Sequence, residues 1–292
     1  MIDVEQVSLV YGHNVKKSVR KSIELIGGLN LDPDSNVVIK PNICNAKNPE
    51  GMVITDFSLI KAVVDLVREN GNDLVIVESD NISGTATTRM EKSGLMGYLD
   101  DWDVDFINLS HDRYTEYPVA GTSLKLPKTV LEADYLINLP KIKTCAHTLV
   151  TLGIKNLYGV FQRKQKSKLH KHLDEILPFL AETIRNDLIV VDGINCMEGN
   201  GPVVGNTVCM DLVLAGRNVV SVDAVCSWLM GYDPAEIPHI ALSAEKGVGS
   251  IEPESIQVMG ENWRDHVKEF EPPYSLRATL KSLRSIRDVY LS

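Results

Sequence analysis

Hydrophobic positions along this chain alternate between two rhythms. Val4 to Tyr11 reads as a strand, and Val15 to Ile26 carries apolar residues at helical spacing until Gly27-Gly28 ends the run. Val37-Val38-Ile39 is short and wholly apolar, the signature of a strand buried on both faces of a parallel sheet. Thr55 or Asp56 then offers a cap for a helix with Ile60, Val63, Val64 and Val67 on one face. Gly71 stops that helix, and Leu74 to Val77 repeats the buried-strand signature. Two successive strand–helix–strand passes predict a parallel or mixed sheet covered by helices.

Further along, Val104 to Leu109 predicts a strand, Tyr114 to Leu126 a small hairpin turning at Gly121, and Tyr135 to Leu139 another strand closed by Pro140. A helix is expected over 173–185, with Pro178 as a potential kink. Leu188–Val191 and Leu212–Ala215 read as core strands, followed by helices near 219–231 and 236–246 and a strand at 256–258. The fold class is therefore α/β, a mixed or largely parallel sheet covered by helices, with a smaller inserted or appended lobe. One such domain is expected over 1–271. Beyond Pro272-Pro273, apolar Leu276, Leu280, Leu283, Ile286 and Tyr290 predict a basic amphipathic helix over 272–292.

Composition narrows the class without naming a function. The 292 residues are 44% hydrophobic and 24% charged, which excludes disorder and rods. Thirty basic against 39 acidic residues leave a net charge of −9, unfavourable for general nucleic-acid or anionic-membrane binding. No apolar run reaches the roughly 20 residues that span a bilayer. The acidic start, Met1-Ile2-Asp3-Val4-Glu5, is unlike a secretory signal, so a cytoplasmic protein is expected. Cys44, Cys145, Cys196, Cys209 and Cys226 are scattered, with no local zinc or iron–sulfur spacing. A divalent metal would need ligands drawn from distant segments.

Four clusters follow predicted strands, at the ends where loops converge in parallel sheets. The first is Lys40-Pro41-Asn42-Ile43-Cys44, continuing to Gly51 and Thr55. A lysine and an amide set by a rigid turn suit an anionic group. Glu78-Ser79-Asp80 forms the second, read either as acid–base or metal ligands or as capping of a helix near Thr85. The third inverts the charge of the chain. Between Lys141 and His172 there is no Asp or Glu, while Lys141, Lys143, Lys155, Arg163, Lys164, Lys166, Lys168 and Lys171 are cationic and His147, His170 and His172 intervene. Lys141, Lys143 and Lys155 sit among apolar residues, where burial lowers a lysine pKa towards use as base or nucleophile. Arg163 to Lys171 reads instead as a solvated, mobile basic loop. In the fourth, Asp192-Gly193-Ile194 leads to Glu198-Gly199-Asn200-Gly201-Pro202 and Gly205. Its glycines suit close backbone approach to a ligand, and Asp192 with Glu198 suits metal or proton chemistry. Asp223 either joins them or caps its own helix.

Several of these motifs occur together in a familiar order. Lys40-Pro41-Asn42, Pro140-Lys141-Ile142-Lys143-Thr144, the run Thr151 to Gly159, and Asp192-Gly193 through Met197-Glu198-Gly199 to Gly201-Pro202 resemble the domain of unknown function 362 family over about Val7 to Gly260. The family has no settled reaction. Some members carry ferredoxin-type iron–sulfur motifs, which implies a redox partner for those members. Those motifs are absent here. The family pattern places His after the Lys-Thr pair, where this chain has Cys145, with His147 two residues later. Either His147 takes over that role or Cys145 supplies a thiol ligand or nucleophile. The order of strand, basic turn, helix and acidic strand end is also distantly similar to the front half of nickel-pincer lactate racemases, a likeness of fold.

The expectation is a cytoplasmic enzyme for an anionic phosphorylated or carboxylated small molecule. Lys143, His147, Lys155 and Asp192 are the catalytic candidates. Lys40, Asn42, Lys141, Asn156, Gly199 and Gly201 are candidates for binding substrate, and Asp192, Glu198 and Cys145 for holding a metal. The alternatives are a metal-handling or redox-associated protein, with Cys44, Cys145 and Cys196 converging near His147, and a binder of an anionic polymer through Lys141–His172. Substrate, reaction and oligomeric state are not legible.

Overall fold

The computed structural model describes residues 4–162 and 166–276. The chain opens with β1 (Glu5–Tyr11), α1 (Val15–Leu25), β2 (Val37–Pro41), α2 (Phe57–Glu69) and β3 (Leu74–Glu78). Helices α3 (Ala86–Ser93) and α4 (Leu95–Asp101) lead to β4 (Asp105–Asn108). A separate two-stranded sheet follows, β5 (Tyr114–Val119) with β6 (Thr122–Pro127), and then the short α5 (Lys128–Leu131). Next come β7 (Tyr135–Leu139), β8 (Lys141–Cys145), β9 (Leu149–Thr151), α6 (Gly153–Leu157) and α7 (Leu173–Thr183). Two 11-residue strands, β10 (Leu188–Glu198) and β11 (Asn206–Gly216), precede α8 (Val219–Leu229), α9 (Pro238–Glu245) and β12 (Ile256–Gly260).

The main sheet runs β12-β1-β11-β10-β7-β2-β3-β4, with β8 joined to β10 and β9 to β8. Strands β10, β7, β2, β3 and β4 pair in parallel, so their carboxyl ends share one edge. Alternation within the strands divides the sheet between two cores. Val38, Leu136, Ile189 and Val191 face one, packed against α6 to α9, while Val37, Ile39, Ile137, Leu188 and Val190 face the other, under α1 to α4. This is the mixed, largely parallel α/β sheet that the apolar rhythm predicts.

The caps explain where helices start. Asp56 accepts from Ser58 N for α2, and Thr85 from Thr88 N for α3. Asn218, not Asp223, caps α8. The basic helix expected over 272–292 lies, from Arg277 onward, outside the described residues, as do Arg163 and Lys164.

Candidate active site

Strand order brings the ends of β2, β3 and β8 together with α6, and a cavity of about 200 Å³ opens between them. Lys40, the penultimate residue of β2, is buried and donates to Glu78 Oε2 at 2.8 Å and to its neighbour's carbonyl, Pro41 O, at 2.7 Å. Glu78 also accepts from Ser79 N and lies 3.8 Å from buried Arg89. Burial pulls the Lys40 pKa below its ordinary value, and the Glu78 charge offsets only part of that.

Lys143 enters from β8 and donates to Asn42 Oδ1 at 2.8 Å, Val53 O at 2.7 Å and Cys44 Sγ at 3.4 Å. Each acceptor is formally neutral. Asn42 then donates to Asn156 Oδ1, and Asn156 to Asn138 Oδ1, so a chain of amides fixes the floor of the cavity. Helix α6, which carries Lys155 and Asn156, begins on the Asp223 carboxylate, which accepts from Gly153 N at 2.7 Å and Ile154 N at 2.9 Å. Gly153 is required there, since a Cβ would meet Asp223 Oδ1 and Val219 Cγ2 at 2.8 Å each. Burial outweighs those two donors and pushes the Asp223 pKa up to about 7.

Lys155 projects into the cavity over the Tyr158 ring, 4.0 Å from its centroid, and forms no hydrogen bond or ion pair among the described residues. Burial, with the Lys143 charge, lowers its pKa. Lys166 comes from the basic stretch expected to be solvated. That expectation fails at this residue. It is buried, donates to Ser79 Oγ at 2.5 Å and Gly159 O at 3.1 Å, and burial lowers its pKa to about 7. The reason is tertiary: Phe161 lies beneath the ammonium, and Tyr158 Oη donates to the Lys166 carbonyl. Lys168 and Lys171 are exposed.

The rim carries His147 and His170, whose ring centroids are 4.1 Å apart. Burial, reinforced by Lys155, lowers both pKa values; that of His170 falls to about 4, with the neighbouring His147 adding to the effect of burial. Cys145, at the end of β8, is buried in the wall. Burial opposes its ionisation, yet the Lys155 charge, with smaller contributions from the β8–β9 turn, holds the thiol below its ordinary range.

Lys40, Asn42, Lys143, Cys145, His147, Lys155 and Asn156, all singled out by the sequence, thus line one cavity. Lys141, Asp192, Glu198, Gly199 and Gly201 do not. Lys141 and Asp192 are fully buried and paired at 2.7 Å beneath the floor, and Asp192 also accepts from Asp56 N and Ile194 N. Glu198 accepts from Glu271 N. The glycine turn is filled by protein rather than open to a ligand. Thr144 Oγ1 donates to Gly199 O, and a Cβ on Gly201 would lie 2.0 Å from Thr144 O. Glu78 serves the site while Asp80 caps, accepting from Ala86 N and Asn108 Nδ2. Thr151 and Tyr158, from the motif run Thr151 to Gly159, and Lys166, from the basic stretch, complete the wall, although none of the three is singled out by the sequence as a site residue.

Residues 37–228 match the family described as domain of unknown function (DUF362). The chain belongs to that family. A curated relative, a thylakoid-associated protein of Synechocystis sp., is 32% identical over 240 residues, covering 79% of this chain and 74% of its own. Solved structures are more distant. A Thermotoga maritima protein matches with a TM-score of 0.44 and 13% identity over 72% of this DUF362 chain, which spans only 57% of that protein. The lactate racemase apoprotein of Thermoanaerobacterium thermosaccharolyticum matches with a TM-score of 0.41 and 12% identity, over 98% and 90% of the two chains.

The iron–sulfur clusters that the resemblance attaches to some DUF362 proteins do not fit here. Among the described residues, no three His, Cys, Asp or Glu side chains converge as metal ligands. Cys44 and Cys145 reach the cavity, whereas Cys196 and Cys226 are buried elsewhere with thiols pushed up by desolvation. No helix among the described residues is long and apolar enough to cross a membrane.

Proposed function

We propose that this DUF362 protein is a cytoplasmic enzyme that binds a small carboxylated or phosphorylated molecule in the lysine cavity. Lys143, Lys155 and Lys166 hold the anion, and Cys145 and His147 act on it. The observation that carries this reading is the charge balance of the wall. Lys40, Lys143, Lys155 and Lys166 face one carboxylate, Glu78, which already serves Lys40, while Lys155 lies over the Tyr158 ring with no carboxylate partner among the described residues. Clustered buried ammonium groups are destabilising unless a ligand supplies the counter-charge, and that is the energetic signature of a binding site. Asp192, paired with Lys141, is assigned to scaffolding in this proposal.

The test is a thermal-shift screen of phosphorylated and carboxylated metabolites against the wild type and Lys155→Met. A ligand at a hundredfold its dissociation constant adds about 2.7 kcal/mol. For a chain of this size that raises Tm by roughly 5 °C. The shift should fall by about half or more in Lys155→Met, as for a roughly tenfold loss of affinity. Equal shifts in both proteins, or none with any anion, would refute the assignment.

A further inference from the structure

Cys145 sits in the cavity wall at 1% exposure, held by the turn between β8 and β9. Thr148 Oγ1 is spent on Val150 O, and the Lys155 ammonium acts on the sulfur across the cavity. Thr151 adds an independent observation. Its side chain is 5% exposed on the same wall, and its hydroxyl has no hydrogen-bond partner. A buried hydroxyl without a partner is destabilising in the free protein. Beside a nucleophile it is a donor for an oxygen that arrives with the substrate.

We infer that Cys145 is a nucleophile that adds to the carbonyl carbon of a compound carrying a carboxylate or phosphate. This rests on the reading of the cavity as an anion site and supplies its chemistry. The thiolate forms the carbon–sulfur bond, and the carbonyl π pair moves onto the oxygen beside the Thr151 hydroxyl. That oxygen takes a proton from the Lys155 ammonium, leaving a neutral amine and a hemithioacetal or hemithioketal. The reverse steps restore thiolate and ammonium, and no oxidant is consumed. The Lys155 ammonium in the same cavity favours the thiolate that this addition requires.

Exposed Cys209 is the internal control, because partial burial and Asp211 hold its thiol above the ordinary range. Full-length reduced protein is treated with limiting iodoacetate or iodoacetamide, and alkylation of each cysteine is followed by peptide mass spectrometry. The iodoacetate-to-iodoacetamide rate ratio should be about tenfold or more higher at Cys145 than at Cys209, because the lysines concentrate the anionic reagent. Pyruvate or glycerone phosphate should slow alkylation of Cys145. Lactate and glycerol 3-phosphate, similar anions without the carbonyl, should protect about a tenth as well or less. Which of the two carbonyl compounds protects better tells carboxylate from phosphate. Unreactive Cys145 overturns the nucleophile, and equal ratios at the two cysteines overturn the anion site on which it rests. Equal protection by carbonyl and hydroxyl anions overturns the covalent step while leaving the anion site standing. If none of them protects, the inference falls, and loss of the iodoacetate preference takes the anion site with it.

Discussion

Lys166→Met should make the ligand-free protein more stable, by an amount that depends on pH. In the folded protein the Lys166 pKa falls from 10.5 to about 7, chiefly through desolvation. Each unit is worth 1.36 kcal/mol, so below pH 7 the buried ammonium opposes folding by roughly 5 kcal/mol. Between about 7 and 10.5 the unfolded chain binds the proton that the folded chain releases, so wild-type stability rises with pH and the penalty fades. Methionine keeps the apolar stem against Phe161 but forfeits the bonds to Ser79 Oγ and Gly159 O, at about 0.5–1.5 kcal/mol each. The net gain is about 2–4 kcal/mol near pH 6.5 and close to zero near pH 9.5. Urea unfolding of both proteins at the two pH values measures the difference, and groups that titrate alike in both cancel. A variant less stable than wild type at both pH values, or a difference that does not change with pH, would refute the view that Lys166 is held there for a ligand against its own solvation.

The remaining residues make sharper contrasts. Asp192→Asn should destabilise by about 3–5 kcal/mol, because Lys141 is left buried without its counter-charge; adding Lys141→Met should recover much of the loss in the same unfolding experiment. Lys143→Met should also destabilise, by about 1–3 kcal/mol for each acceptor left unpaired at Asn42 Oδ1 and Val53 O, the opposite sign to Lys166→Met. Gly159→Ala places a Cβ 3.0 Å from Lys40 Nζ and 3.2 Å from Glu78 Oε1, so it should weaken anion binding in calorimetry while changing Tm less than Asp192→Asn does. Anion affinity should be flat below about pH 7 and fall by up to about tenfold per unit above it, since binding draws protons onto lysines whose pKa values are lowered. Affinity that rises with pH would contradict this.

The sheet and its helices were legible because buried strands such as Val37–Ile39 and capped faces such as Ile60 to Val67 carry their own periodicity. The ends of β2 and β3 could be named as site edges for the same reason. What was not legible depends on partners far along the chain. The burial of Lys141 and Lys143 is suggested by their apolar neighbours, but not their partners: Asp192, 51 residues away, neutralises one lysine and the Asn42 and Val53 oxygens solvate the other. Lys166 looks like part of a solvated run until Phe161, Ser79 and Gly159 enclose it. Asp192 and the glycine turn were read as chemistry because they follow a buried strand. The register of β10 against β8 turns them inward. Asp223 was expected either to join Asp192 and Glu198 or to cap its own helix, and the start of α6 falls against its carboxylate instead.

The most direct test of the central claim is the affinity for whichever anion the screen identifies, measured by calorimetry near pH 6.5 in wild type, Lys155→Met and Lys246→Met, the last removing an exposed lysine paired with Glu182 at the surface. If the cavity is the site, Lys155→Met should weaken binding by about tenfold or more and Lys246→Met by less than about twofold, as for a charge-assisted contact against a screened surface charge. Indistinguishable affinities in all three proteins would place the anion elsewhere and contradict the account.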